Sequence, residues 1–186
     1  MKDLLNIINE YLLIYPNEKE KLNQLLDYVS KNTYDDIIDW NNFNGHIVAS
    51  GFIYSKNDRK FLVLYHKDQK MFLYPGGHVD KDDESILSAT IREVKEETGI
   101  TNSKLIKVCD NELVPIDIDI HKISYNERLN LPEHYHYDFR YLFVIDSITD
   151  VFIDEEESSD YKWIDINEIR NNTPYASIAD KFEKVL

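Results

Sequence analysis

Arg92-Glu93-Val94-Lys95-Glu96-Glu97-Thr98-Gly99-Ile100, preceded at 75–78 by Pro-Gly-Gly-His, is the stretch on which the reading of this chain turns. Glu93, Glu96 and Glu97 stand at i, i+3 and i+4, so on a helix they share one face. Leu87, Ile91 and Val94 are expected on a different face, buried against a sheet. Like charges this close repel by about 0.2–0.5 kcal/mol per pair even on an exposed helix. Lys95, the only lysine nearby, points elsewhere. One reading of the three glutamates is a solvated acidic face. The other is a divalent cation, and oxygen-seeking Mg²⁺ or Mn²⁺ suits such ligands. Gly76 and Gly77 let backbone approach a metal or phosphate closely. Arg92 can pin a carboxylate with its planar fork of donors. Gly99 falls where a helix from about Glu84 to Thr98 needs its left-handed terminator.

Upstream of this helix the pattern alternates. His46–Tyr54 and Lys60–Tyr65 read as strands joined by Ser55-Lys56-Asn57-Asp58-Arg59, a hairpin signal. Lys70–Tyr74 is a third short strand ending at Pro75-Gly76-Gly77. Downstream, Leu105–Asp110, Leu113–Ile120, Phe139–Ile145 and Tyr161–Ile164 read as strands, and Ile166–Arg170 begins a terminal helix. His121–Pro132 is a polar connection, and Asp154–Asp160 is an acidic turn. The first forty residues are of another kind. Leu4, Leu5, Ile7, Ile8, Tyr11, Leu12 and Tyr15 recur at helical spacing, Pro16 breaks the run, and Leu22, Leu25, Leu26 and Val29 form the stripe of a second helix. That pair is expected to pack on the main domain or on a second subunit. The division expected is a helical extension over 1–42 and an α/β domain with a mixed sheet over 43–186.

The bulk composition excludes several classes. Apolar residues make up 42% and charged residues 30% of the 186 residues, the profile of a globular protein. No apolar run approaches a membrane span, and Met1-Lys2-Asp3 lacks the basic start of an export signal. A membrane role is not expected, and the cytoplasm is the expected compartment. Cys109 is the only cysteine, so no intrachain disulfide can form. The net charge of −14 disfavours a nucleic-acid polymer as partner. It leaves small anionic nucleotides open where a bound cation reverses the local field.

The glycine and glutamate segments resemble the Nudix box, the signature of the Nudix hydrolases. Its pattern is Gly, five residues, Glu, seven residues, Arg-Glu, an aliphatic residue, any residue, Glu-Glu, any residue, Gly and an aliphatic residue. Glu84 and the run from Arg92 to Ile100 match the second part in every specified place. Gly77 is followed by six residues before Glu84 rather than five, the extra one lying in Asp80-Lys81-Asp82-Asp83. The tryptophan strand Tyr161-Lys162-Trp163-Ile164-Asp165 extends the likeness. The resemblance implies the Nudix fold, an α/β/α sandwich with a mixed sheet, here carrying an N-terminal helical extension. It implies hydrolysis of a diphosphate linkage in a nucleoside diphosphate derivative, by water attacking phosphorus. It implies that Glu93, Glu96 and Glu97 hold Mg²⁺ or Mn²⁺, with the Gly77 carbonyl as a further ligand. Arg92 would orient Glu84 or Glu93, and Gly76, Glu84 and Gly99 would support the box. Glu93, Glu97 or an acid on a later loop would serve as general base. A homodimer is left open.

Other features are read more loosely. In Glu133-His134-Tyr135-His136-Tyr137-Asp138, alternation puts His134, His136 and Asp138 on one side of a strand. They could bind a transition metal, hydrogen-bond a substrate, or bond one another. The zinc reading lacks a fourth ligand in the sequence. Glu155-Glu156-Glu157 is either a solvated turn or a source of another ligand or base. Trp40 and Trp163 are expected as packing residues. Substrate choice is expected from the Ile120–Pro132 connection, from Tyr65-His66-Lys67 and from the N-terminal helices. The competing class is a non-catalytic Nudix domain that senses a nucleotide or joins a complex. Such domains usually lose box glutamates, and all are present here. An isopentenyl diphosphate isomerase shares the fold but needs a well-placed cysteine and further metal-binding histidines, and Cys109, on a strand after the box, is in the wrong place.

Overall fold

The computed structural model describes residues 4–125, 130–171 and 176–186. Residues 126–129, within the connection expected to govern specificity, and the start Met1-Lys2-Asp3 lie outside the described residues. Three helices come first: α1 (Leu4–Ile14), α2 (Lys19–Lys31) and α3 (Tyr34–Ile38). The strands β1 (His46–Ser55), β2 (Lys60–His66), β3 (Met71–Leu73) and β4 (Gly76–His78) lead into α4 (Ile86–Thr98). Then come β5 (Lys104–Leu105), β6 (Asp117–Ile123), β7 (His134–Ile145), β8 (Ser158–Asp165), α5 (Ile166–Asn171) and α6 (Ala176–Val185).

Among the described residues the strands form one eight-stranded mixed sheet. Its spine is the parallel pair β1–β7, in register from His46↔His136 to Ser55↔Ile145. The remaining pairings are antiparallel, with β4 on β1, β6 and β5 on β7, and β8 and β3 on β2. One face carries Ile47, Ala49, Ile53, Tyr137, Phe139 and Phe143 against Val94 of α4 and against the N-terminal helices. Gly51 makes the close approach possible, since a Cβ there would lie 2.5 Å from Val94. The other face carries Phe52, Leu142, Phe61 and Ile164 under Ile178 and Phe182 of α6. Helices therefore cover both faces, as the mixed-sheet expectation required.

The N-terminal helices dock on this same sheet. Leu4, Ile8, Tyr11, Leu22, Leu25, Ile37 and Ile38 belong to the α4-side core. Lys21 donates to the Ile118 carbonyl at 2.8 Å and pairs with Asp119 at 3.1 Å. Lys181 of α6 reaches Tyr11 Oη, Glu18 and Asp117 at 2.6, 2.5 and 2.6 Å. The helix α3, absent from the sequence reading, starts on a capping box in which Thr33 and Asp36 satisfy each other's amides.

Several expected boundaries move. The expected strand Leu105–Asp110 shrinks to β5, and Leu113–Ile120 shifts to β6, which begins at Asp117 and runs to Ile123 into the expected polar connection. Pro115 lacks a donor, and Asn111 turns the chain by accepting the Val114 amide on its carbonyl and the Leu113 amide on its side chain. The strand β4 was not expected, because glycine carries no strand preference; pairing with β1 alone creates it. Ile91, expected to be buried, is 51% exposed. Leu87 and Val94 are buried as expected, and the buried face of α4 continues through Ile86, Thr90 and Glu97. Trp40, expected in packing, is half exposed and leans on His78.

Candidate active site

The site forms where β4 passes over α4. Ser85 caps the helix with the Ser88 amide, and Gly99 closes it at φ 71°, so the helix is held at both ends. Gly76 takes φ 157° beside β1, where a Cβ would meet the Ala49 carbonyl oxygen at 2.5 Å. Its amide donates to Glu97 Oε1 at 3.0 Å. A Cβ at Gly77 would sit 2.7 Å from Glu93 Oε1. The two glycines therefore lie directly over two of the three glutamates. Glu96 stays exposed on the outer side.

Arg92 holds the group together. Its Nη1 donates to Glu93 at 2.8 Å and to Glu96 at 3.1 Å. Its Nη2 donates to the His78 carbonyl at 2.9 Å and to Asp83 at 2.9 Å, and its Nε donates to Asp83 at 3.3 Å. Asp83 thus takes the supporting place expected of Glu84, which is exposed and is not among these partners. Counting explains the change. Five residues separate Gly77 from Asp83, so the box spacing from the glycine ends on Asp83. The spacing from Arg92 ends on Glu84, and the structure favours the glycine count, with the shorter acid in the glutamate's place.

The electrostatics are those of an anionic pocket. Burial pushes the Glu97 carboxyl up to about 8, against the Gly76 amide; Glu157, Glu93 and Asp154 push it further. Burial pushes Glu93 up to about 7 despite Arg92, with Glu96 and Glu157 adding to the rise. Arg92 is held still more firmly charged, chiefly by Asp83. Without a cation, burial favours the protonated form of Glu97 and, despite Arg92, that of half-buried Glu93. Such a cluster of oxygen donors, with one arginine shared among them, fits a divalent cation. Glu157 and Asp154 come from the loop before β8, so the acidic turn faces the box glutamates.

His134, His136 and Asp138 share one face of β7, as alternation required, but they do not act together. Asp138 is buried and accepts from Tyr74 Oη at 2.8 Å and Arg140 Nε at 2.7 Å. Arg140 also meets Asp117 and Asp119 at 3.0 Å each. Burial would raise the Asp119 carboxyl, but His121, Arg140 and Lys21 together bring it far below the usual range. This is a buried ionic ladder across β6 and β7. His134 and His136 belong instead to a group of histidines at the start of the strands. His46 and His78, missed in the sequence, join them through the registers His46↔His136 and Val48↔His78. Asp83 could have been found by counting from Gly77. The β1–β7 pairing that gathers the histidines had no local signal.

Comparison with known proteins bears on the fold and the family. The NUDIX domain family model matches residues 45–185. A Lactococcus lactis protein described as a probable DHNTP pyrophosphohydrolase is 33% identical over 76% of this chain and 77% of its own length. A Pelagibacter ubique RNA pyrophosphohydrolase is 29% identical over 72% of this chain and 89% of its own. Among solved structures, a NUDIX-family hydrolase from Clostridium perfringens superposes with TM-score 0.58 at 24% identity, covering 76% of this chain and 98% of that one. The fold and its glycine-over-glutamate site define a Nudix-type α/β protein. The chain belongs to the NUDIX family. It is a hydrolase of pyrophosphate bonds, in a family that generally uses divalent metals. Among the described residues, no helix is long and apolar enough to cross a membrane.

Proposed function

We propose that this chain is a Mg²⁺- or Mn²⁺-dependent pyrophosphohydrolase that cleaves a small nucleotide-like diphosphate derivative, with Glu93, Glu96 and Glu97 as the metal-binding carboxylates. The observation that carries this is the placing of buried Glu97 and half-buried Glu93 beneath Gly76 and Gly77, near further acids from the loop before β8. Ionising carboxyl groups held this close together and shielded from water is unfavourable unless a cation offsets the charge. The Gly77 carbonyl is an added oxygen donor in the same proposal. When bound, the metal neutralises the diphosphate and activates water.

The chain's own residues do the rest. Arg92 fixes Glu93 and Glu96 from one side while Asp83 anchors Arg92 from the other. The Gly76 amide fixes Glu97. A box glutamate, Glu93 or Glu97, or an acid on a later loop serves as general base. Glu157, exposed on the loop before β8 and close enough to raise both carboxyls, is the proposed loop acid that takes a proton from the attacking water. The −14 charge supports small-molecule rather than polymer substrates, and the cytoplasm remains the proposed compartment. Self-association through the N-terminal helices stays a proposal, tested by light scattering.

The test is Mg²⁺-dependent turnover on a panel: nucleoside triphosphates, dihydroneopterin triphosphate, dinucleoside polyphosphates, nucleotide sugars and coenzyme A. Dihydroneopterin triphosphate is included because of the Lactococcus lactis relative. Turnover of a panel member that disappears in Glu97→Gln supports the assignment. Tight binding without turnover would favour a non-catalytic nucleotide-binding role instead.

A further inference from the structure

The chain has six histidines, and five of them meet at one end of the sheet. His46 and His136 are register partners across β1–β7, and His121 faces His136 across β6–β7. His134 lies two residues before His136 on the same face. His78 follows Gly77 on β4, next to His46, with ring centroids 5.2 Å apart. Phe43 and Trp40, from the joint before β1, close on His134 and His78 at 5.9 and 6.1 Å.

Three of these rings converge. The ligand-competent nitrogens of His46, His134 and His136 lie within 4.8 Å of one another. His134 Nδ1 is 2.8 Å from the Pro132 carbonyl oxygen. A carbonyl only accepts, so Nδ1 carries the proton and Nε2 presents its lone pair. That Nε2 is 3.1 Å from His136 Nε2. Neighbouring ligands on a tetrahedral ion with bonds of about 2.0–2.1 Å stand about 3.3 Å apart, so the spacing suits two nitrogens on one ion. The carbonyl behind His134 is the outer-shell partner that zinc-binding histidines use.

His46 supplies the independent observation. It is 1% exposed, and among the described residues neither ring nitrogen has a hydrogen-bond partner. The Asn42 backbone is near enough to favour its protonated form but does not meet bonding geometry. A buried imidazole with an unused lone pair is costly. An N–H···N bond between His134 and His136 would satisfy that pair and leave His46 unpaired. Burial, then the neighbouring histidines, lowers the His46 pKa to about 4 and that of His136 further, so both are neutral and able to ligate.

We propose that His46, His134 and His136 form a three-histidine site for a divalent transition-metal ion of the Zn²⁺ class, separate from the carboxylate site on α4. Imidazole nitrogens select such ions, whereas the oxygen donors beneath Gly76 and Gly77 select Mg²⁺ or Mn²⁺. The ion ties the start of β1 to the start of β7, with His78 next to the trio and exposed to solvent. The strand β4 then links the two sites, with Gly77 over Glu93 and His78 beside His46.

The experiment uses the full chain after chelator treatment. Zn²⁺ affinity is measured by competition with a chromophoric chelator for the wild type, His134→Gln, His136→Gln and Glu97→Gln. Co²⁺ absorbance is recorded alongside. The expected result is one Zn²⁺ per chain, tetrahedral Co²⁺ bands, a loss of about a hundredfold or more in each histidine variant, and unchanged affinity in Glu97→Gln. Zinc-edge X-ray absorption on the loaded wild type should show imidazole nitrogens around the ion, and it needs no variant to fold. Absence of Zn²⁺ binding, an all-oxygen shell, or affinity lost in Glu97→Gln but kept in His136→Gln would overturn the proposal.

Discussion

Replacing Glu97 by Gln tests whether burial at this site works against the fold until a cation arrives. The amide is the same size and keeps an oxygen to accept from the Gly76 amide, now 3.0 Å from Oε1. What it removes is an ionisable group pushed from 4.5 to about 8, mainly by burial. A carboxyl whose folded pKa is raised contributes stability that is fully present below its unfolded value. That stability is lost as pH climbs through the folded value. Each tenfold change in proton affinity is about 1.4 kcal/mol, so the full loss is about 4–5 kcal/mol at most, and about 2–4 kcal/mol after local relaxation. In a chain of this size that is about 5–10 °C in Tm. The assay is thermal unfolding of metal-free protein from about pH 5.5 to about pH 8.5, with and without Mg²⁺. The wild type should lose stability across this range relative to Glu97→Gln. Mg²⁺ should restore the wild type at high pH and do little for the variant. Turnover should fall by about two orders of magnitude or more, near 3 kcal/mol of barrier. Parallel pH curves for the two proteins, or equal stabilisation by Mg²⁺, would refute the reasoning.

Three further outcomes follow from the same geometry. Gly77→Ala places a Cβ 2.7 Å from Glu93 Oε1; it should lower turnover on the order of a hundredfold, read by steady-state kinetics, with the fold intact by circular dichroism. Arg140→Met strands Asp117 and Asp138, both buried, without their arginine; urea unfolding should show a loss of about 3–5 kcal/mol. Glu157→Gln, if Glu157 takes the proton from water, should cut kcat by about 10²-fold or more while Mg²⁺ stabilisation persists. An unchanged kcat would move the base to Glu93 or Glu97.

Local signals carried much of the chemistry. The i, i+3, i+4 glutamates, the flanking arginine and the terminating glycine made α4 legible, because capping and helical periodicity act within a few residues. The same locality fixed the alternation along β7, which put His134, His136 and Asp138 on one face. The hairpin β1–β2 was read from its turn-rich joint, although the two strands pair only at Tyr54↔Phe61 and Ser55↔Lys60 before diverging.

Pairing over long separations decided the rest. Gly76–His78 becomes a strand only because β1 offers an edge, and that pairing brings the glycines over Glu93 and Glu97. Whether Asp83 or Glu84 meets Arg92 depends on how the loop after β4 folds back, which spacing measured from one end alone cannot fix. Helical spacing alone left Glu97 open to a solvated acidic face or a cation site, and it is the sheet and β4 that bury it and raise its proton affinity. The parallel β1–β7 register sets His46 beside His136, ninety residues away in sequence. Asp138 shares that face with the histidines, but Arg140 and Tyr74 claim it. The sequence by itself determined which residue types and which helix could do the chemistry. Only the tertiary structure decided which of them are buried, paired or left free to bind an ion, because burial and long-range strand pairing are properties of the assembled sheet.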